Sequence, residues 1–524
     1  MTAMYHRLDG LPLAIELAAA RMASMSAVEV VSRLDRRLAV LTRGRRTAPA
    51  RHRTLRAAIE WSYHLLDEPE RTAFERVSTF LGGFDLRAAE RMLGDQAHPD
   101  QVADLIAALV EKSLLTLDAR GPVTRYTMLE TLREFACERL AERGAVENTS
   151  MAHAEHFAAL ADQASTQIRG PHEAAWVARL DTDLANMRAA QEWTRRAGRF
   201  DLAGRMAAGL TWFAFWRMRA EVFSWAERLA AAAGEGSARL TPQALAAAGR
   251  GAWLRGDLKR SELLAQRAIA AAPDDPAARF GWHILGDVGL FSGRLDPALD
   301  AFEQADRLAE RAGDLYHRAL LRGCHALVSS YSGDPAAASR RAAESRALAR
   351  DAANPTAQAW SDYVTGEVLM TADPDRALTC LERAAATARD LDNEFIRGVA
   401  GLSAVSLRAR HGDPAAASRA FVDLIDRWER GGNWRQQWTT MRHLVELFVR
   451  LGRHQAAGVV LGAIETHDAD NVYGADAERL AKLRGELQSH LGPALKRCLD
   501  DGRTLERADV LAFVRAELLA TGHP

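Results

Sequence analysis

Apolar and small residues recur at three- and four-residue spacing along most of the chain, the periodicity of amphipathic helices. Beyond residue 250 that pattern itself repeats. Its punctuation falls at Gly256, Gly293, Gly333, Ala372, Gly412 and Gly452, each followed by Asp or Arg, at intervals of 37, 40, 39, 40 and 40 residues. Five, nine and twelve positions past each mark the residues are mainly small or apolar: Ser261, Ala265 and Ala268; Ala298, Phe302 and Ala305; Ala338, Ala342 and Ser345; Ala377, Leu381 and Ala384; Ala417, Phe421 and Leu424; Ala457, Leu461 and Ile464. Residues four and then three apart share one helix face, so each unit predicts a helix with a small-residue packing stripe. A glycine at the mark accepts the positive φ that ends one helix and turns into the next. Gly198 opens an earlier, looser copy with Ala203, Ala207 and Leu210. The array predicts helix pairs stacked into a solenoid with a continuous core.

Residues 55–145 follow another pattern. Leu55, Ile59, Trp61, Tyr63, Leu65 and Leu66 open an all-α segment, and Glu68-Pro69-Glu70 starts a helix that buries Phe74, Val77, Phe80 and Leu81 before Gly82-Gly83. Leu86–Leu93 and Val102–Val110 predict two more helices. Leu114–Leu117 and Arg125–Met128, on either side of Gly121-Pro122, predict a β-hairpin, and a further helix carries Leu129, Leu132, Phe135 and Leu140. Helices with a hairpin wing make a winged helix-turn-helix, a fold that can set a helix in the major groove. The candidate reading helix, Val102–Val110, carries no Arg, Lys, Asn or Gln to read base edges, which favours a packing role.

Composition narrows the function classes. At roughly 150 residues per domain, 524 residues make three or four domains or one repeat array. A net charge of −1 argues against bulk coating of nucleic acid or an anionic membrane. The basic residues number 68, of which only Lys112, Lys259, Lys482 and Lys496 are lysines. None of these follows a glycine, so the Gly-Lys-Ser/Thr of a phosphate-binding P-loop is not in this chain. Cys137, Cys324, Cys380 and Cys498 lie far apart, which implies no disulfide framework and points to a reducing cytoplasm. The longest uncharged apolar run, Met206–Trp216, is far short of the ~20 residues of a spanning helix. No Gly-x-Ser-x-Gly, no His-Glu-x-x-His and no clustered acid–base set is present, so no catalysis is expected.

Three local features are candidate sites. Arg43, Arg45, Arg46, Arg51, Arg53 and Arg56 form a basic stretch, and residues 1–65 hold eleven Arg against five acids. It reads as a solvated connector or, alternatively, as a phosphate contact. His153 and His156 share a helix face but lack a third ligand in the sequence, so a structural role is favoured over a metal site. Trp212, Phe213, Phe215 and Trp216, and again Trp428, Trp434 and Trp438, cluster in the array. They pack between helices or, where exposed, would anchor a partner; Trp212, Trp216, Trp434 and Trp438 are the partner-binding candidates.

Three motifs in order carry a family resemblance over about residues 5–160. Gly10-Leu11-Pro12-Leu13, followed by Ala-Ile-Glu-Leu-Ala-Ala-Ala-Arg, resembles the Gly-Leu-Pro-Leu motif of NB-ARC-type STAND ATPases. Leu55–Tyr63 resembles the start of their winged-helix domain, and Tyr126–Ala136 its end. Bacterial regulators of the SARP and LuxR-type ATPase group share this arrangement. The resemblance implies a signalling switch in which ADP holds a closed state, and ATP with an inducer permits oligomerisation. It implies a vestigial adenine contact for Pro12. Where many members read Met-His-Asp, this chain reads Met128-Leu129-Glu130, and leucine donates nothing to a phosphate. The P-loop and Walker B carboxylates of the family would lie upstream of Gly10, so ATP or ADP is expected only if an upstream P-loop domain or a P-loop-containing partner chain supplies the site. Trp282, Leu285, Gly286, Gly293, Ala298, Phe302 and Ala305 match the tetratricopeptide (TPR) pattern, and the other units resemble it in degenerate form.

The expected fold is therefore all-α with one small winged-helix β-hairpin, dominated by a TPR-like solenoid. The expected domains are a remnant of the NB-ARC helical subdomain at 1–45, a winged helix at 46–145, TPR-like repeats at 146–470 and a helical cap at 471–524. The expected function is regulatory: the repeat arm senses a protein or small-molecule inducer, the winged helix is a hinge, and neither cofactor nor metal is bound by the chain alone. The alternative is a DNA-binding regulator using the winged helix and the arginines from Arg43 to Arg56. No membrane partner is expected.

Overall fold

The computed structural model describes residues 55–94, 98–121, 123–232, 240–411, 414–469 and 474–520. Among them are 25 α-helices and one two-stranded sheet. The fold is all-α, with helical repeats and a small winged-helix hairpin. The chain divides into two compact units, residues 1–160 with 179–202, and residues 161–178 with 203–524.

In the first unit, α1 (Leu55–His64), α2 (Glu68–Val77), α3 (Leu86–Leu93) and α4 (Pro99–Glu111) precede β1 (Thr116–Asp118) and β2 (Arg125–Thr127). After them come α5 (Glu130–Glu142) and the parts of α6 (Val146–Gln167) and α7 (Glu173–Arg196) that belong to this unit. The start of α2 is fixed by a reciprocal cap. The Asp67 carboxylate accepts the Glu70 N–H at 2.9 Å and the Glu70 carboxylate accepts the Asp67 N–H at 3.0 Å. Phe74, Val77, Ile106, Leu109 and Phe135 form the core between these helices. The antiparallel hairpin pairs Leu117 with Tyr126, and Phe84 bridges to Tyr126 on its other side. Asn186 of α7 is fully buried: its carbonyl accepts the Leu81 N–H at 2.7 Å and its amide donates to Gly83 O at 2.9 Å. Arg125 pairs with Asp183 at 2.8 Å and donates to the carbonyls of Gly82 and Gly83. The Gly82-Gly83 loop is therefore clamped by polar side chains.

The second unit is a run of helix hairpins. After α8 (Phe200–Gly209), α9 (Thr211–Arg217) and α10 (Ala220–Ala232) come α11 (Pro242–Leu254) with α12 (Leu258–Ala271), α13 (Arg279–Phe291) with α14 (Leu295–Arg311), and α15 (Leu315–Tyr331) with α16 (Pro335–Asp351). Three further pairs are α17 (Pro355–Leu369) with α18 (Pro374–Asp390), α19 (Glu394–His411) with α20 (Pro414–Arg430), and α21 (Trp434–Arg450) with α22 (His454–His467). From Ser261 onward the small-residue stripes all lie on the second helix of a pair, and every residue named for them in the sequence is at most 5% exposed. Gly256, Gly293, Gly333 and Gly452 take φ between +70° and +82° at the turn inside their hairpins. Gly412 lies outside the described residues. Ala372 does not adopt positive φ; α17 ends at Leu369 and the Asp373 N–H bonds to Leu369 O at 2.8 Å. A Cβ makes the left-handed region costly for alanine, and this turn closes without it.

A second periodic turn joins one hairpin to the next. Gly313, Ala353, Asp392 and Gly432 adopt φ of +64°, +49°, +53° and +63°. Each is followed by a cap, Asp314, Asn354, Asn393 or Asn433, whose side chain accepts the N–H three residues on at 2.8–3.1 Å. All four caps are buried. Glu173, in the first turn of α7, reaches two of them. It accepts from Thr356 Oγ1 at 2.6 Å and from the Thr356 N–H and Asn354 Nδ2 at 3.1 Å, and it pairs with the buried Arg217 at 3.2 Å. The Asn393 amide donates to Thr356 Oγ1 at 3.2 Å.

The array is closed by α23 (Gly474–Leu491), α24 (Ala494–Thr504) and α25 (Arg507–Ala520). Leu480, Leu483 and Leu487 pack with Leu495, Leu499 and Val514 in one cluster. The backbones of α22 and α24 touch: a Cβ on Gly462 would lie 2.2 Å from Leu499 O, and one on Gly502 would lie 1.9 Å from Val459 O.

Candidate functional site

The first helices of successive hairpins surround a cavity of about 590 Å³ in the second unit. Its wall is drawn from α9, α11, α13, α15, α17, α19, α21 and α23, and from none of the second helices α12, α14, α16, α18, α20 or α22. Helical phase explains this: the second helices spend their small faces on neighbouring helices, which leaves one face of each first helix for the interior.

One part of the wall is aromatic. Trp212 and Trp216 of α9 stack with centroids 5.9 Å apart, and Phe215 lies 4.7 Å from Phe395. Trp216 is 6.1 Å from Trp360, which is 5.3 Å from Tyr363. The Trp216 indole N–H donates to Tyr316 Oη. Aromatic pairs at these distances add to simple area burial.

The rest of the wall is charged, and most of its charges are paired. Arg250 bonds to Asp287 and stands 5.0 Å from the Phe215 ring centre. Arg410 pairs with Glu446 at 3.3 Å. Arg442 pairs with Asp476 at 3.0 Å and Asp468 at 3.3 Å. His443 faces the Arg479 guanidinium at 2.7 Å, and burial with that charge pushes its pKa well down. Glu367 differs. The Ser403 hydroxyl donates to it, but among the described residues it forms no ion pair. Burial lifts its pKa to about 7; Asp476 adds to the rise, while Ser403 and Arg410 oppose it.

His283, Asp287 and Cys324 bring a nitrogen, an oxygen and a sulfur within 4.8 Å of one another in the same wall. The donor types suit a transition metal. However, the Arg250 guanidinium already occupies the Asp287 carboxylate, and a cation there would face its charge. Burial holds His283 down to about 4, and its Nδ1 is 2.8 Å from Nε2 of His317.

Trp212 and Trp216, named in the sequence as partner anchors, both line this cavity. Trp434 and Trp438 do not. Trp438 is buried and stacks on His467 at 5.3 Å, and partly buried Trp434 lies under Arg507 at 5.8 Å. Pro12, Arg43, Arg45, Arg46, Arg51 and Arg53 lie outside the described residues. Arg56 pairs with Glu60 and Glu138 and stands 5.8 Å from the Phe135 ring centre. His153 packs against Phe80 and Phe157, with burial driving it to about 3, and burial likewise takes His156 to about 4. Both are part of a ring cluster. Glu367 and Glu173 were not singled out by sequence. Each is one acid among many, and only the position of its helix makes it special. The buried caps did carry a signal, a second period marked by Asp or Asn.

Residues 66–141 match the family model described as a winged helix-turn-helix domain. The chain is 35% identical over 361 residues to a candidate HTH-type transcriptional regulator of Mycobacterium tuberculosis (strain ATCC 25618 / H37Rv), covering 66% of this chain and 40% of that protein. A counterpart in Mycobacterium bovis (strain ATCC BAA-935 / AF2122/97) gives the same figures. The chain thus spans about 40% of the length of these curated relatives. Among solved structures it is similar to a Signal Transduction ATPase with Numerous Domains (STAND) protein with a tetratricopeptide repeat sensor from Pyrococcus horikoshii. The TM-score is 0.49 at 14% identity, covering 97% of this chain and 74% of that one. No helix of the described residues is long and apolar enough to cross a membrane.

Proposed function

We propose that this chain is a regulatory module whose helical-repeat arm senses a small-molecule inducer, with the winged helix as a hinge and no catalysis of its own. The observation that carries this reading is the cavity of about 590 Å³ walled by the first helices. Small-molecule sites are concave, largely apolar and roughly 300–1,000 Å³, with a few placed polar groups. The winged helix-turn-helix match and the names of the relatives support a regulatory role. Nucleotide enters this reading only through a P-loop supplied by another domain or chain. Calorimetry with ATP or ADP on the chain alone should show no binding.

A small-molecule screen by thermal shift tests the sensor. Hits should disappear in Ser330→Trp, which fills the cavity from α15. Hits that persist in a folded S330W protein place the ligand elsewhere and overturn the reading.

The DNA-binding alternative draws on the same family match and the same names. The exposed face of α4 carries Asp100, Asp104 and Glu111, which repel phosphate. A gel shift on generic duplex across a salt series separates the two readings, because phosphate contacts give a steep salt slope.

A further inference from the structure

Glu367 lies one to two turns beyond Trp360 and Tyr363 on α17, so all three share the helix face that lines the cavity. Protein surrounds the carboxyl, yet part of the residue's surface stays open to the cavity. The cavity's arginines are already committed, Arg250 to Asp287, Arg410 to Glu446 and Arg442 to Asp468 and Asp476. The wall thus offers a carboxylate in no ion pair among the described residues, with Arg410 acting on it only at longer range, beside a bank of indole and phenol rings. A carboxylate supplies the charge, and ring faces supply the quadrupole that attracts a cation.

Resting on the sensor reading above, we infer that the inducer is an organic cation: an ammonium that pairs with Glu367, carried on a flat apolar body that packs on Trp360, Tyr363 and Trp216. A metal ion is not the occupant, because the rings contribute nothing to its coordination. An anion would need one of the committed arginines.

The groups facing Glu367 set the pH behaviour. Ser403 donates to it from α19, Arg410 of α19 draws its pKa down, and Asp476 of α23 lifts it. Burial raises the Tyr363 hydroxyl on its own helix and the Cys324 thiol on α15 well above their ordinary values, so both stay neutral through the neutral range. With a carboxyl near 7 in the empty cavity, a permanently charged ligand binds better as pH rises through neutrality.

Phenyltrimethylammonium and tert-butylbenzene are near-isosteres, one charged and one neutral. Tryptophan fluorescence titration of the full chain should show the ammonium binding at least roughly tenfold tighter at about pH 8. That preference should shrink toward parity at about pH 5.5, where the carboxyl is protonated. Glu367→Gln should abolish the preference at the higher pH, and Glu367→Asp should keep part of it. Equal binding of the two probes at about pH 8, or a preference that survives E367Q, overturns the cation inference and leaves the sensor reading standing. The pH arm uses the unaltered chain, so a poorly folded variant does not blunt it. If neither probe nor any member of a small-molecule screen binds, the sensor reading falls with it.

Discussion

At the turns inside the hairpins, Asp257, Asp334 and Asp373 cap the next helix in contact with water. At the turns between hairpins, Asp314, Asn354, Asn393 and Asn433 make the same bond while buried. The local chemistry is alike: a left-handed residue is usually followed by a side chain that accepts the N–H three positions on. The surroundings differ. In water a lost cap is replaced by solvent, whereas a buried donor that loses its partner keeps its full desolvation cost. Two of the buried caps, Asn354 and Asn393, are also tied across repeats through Glu173 and Thr356. The inner turns therefore shape single hairpins, and the outer ones bind hairpins to each other.

Breaking the hub should have the largest effect. Glu173→Gln leaves Arg217 buried without its countercharge, an expected loss of about 3–5 kcal/mol in urea denaturation. A loss near that of a surface ion pair would remove the hub from the account. Asn354→Ala removes a cap and the amide that donates to Ile168 O, Gly170 O and Glu173, at about 2–3 kcal/mol. Asp334→Ala, on the wet side, should cost about 1 kcal/mol. The contrast fails if D334A and N354A are equal. Smallest, and opposite in sign, Ala353→Gly should stabilise by up to about 1 kcal/mol, because glycine takes the positive φ of that turn without strain.

The solenoid was legible because its signal is repeated. Six marks near a 40-residue spacing let weak local evidence add up, and the stripes beginning at Ser261 and Ala298 are buried as their spacing implies. The winged-helix elements were legible for a related reason, since caps and loop glycines such as Asp67 and Gly82 bracket short apolar runs. The second period is hard to read because two of its four left-handed residues, Ala353 and Asp392, are not glycine. The cavity acids were not legible. Glu367 differs from neighbouring surface acids only in what two other helices place opposite it. Trp212 and Trp216 were singled out together with Trp434 and Trp438, and only the first pair reaches the cavity. Sequence supplies the residue type there, and the long-range fold supplies its address.

The division of labour between the two helices of each hairpin has a consequence for descent. The stripes that hold the array together lie on α12, α14, α16, α18, α20 and α22, and the cavity wall lies on their partners together with α9 and α23. Wall positions such as Trp360 and Glu367 lie on a different helix from those stripes. Gene lineages built on this plan are free to drift in what they recognise while selection holds the frame constant, so recognition should diverge faster among relatives than architecture does.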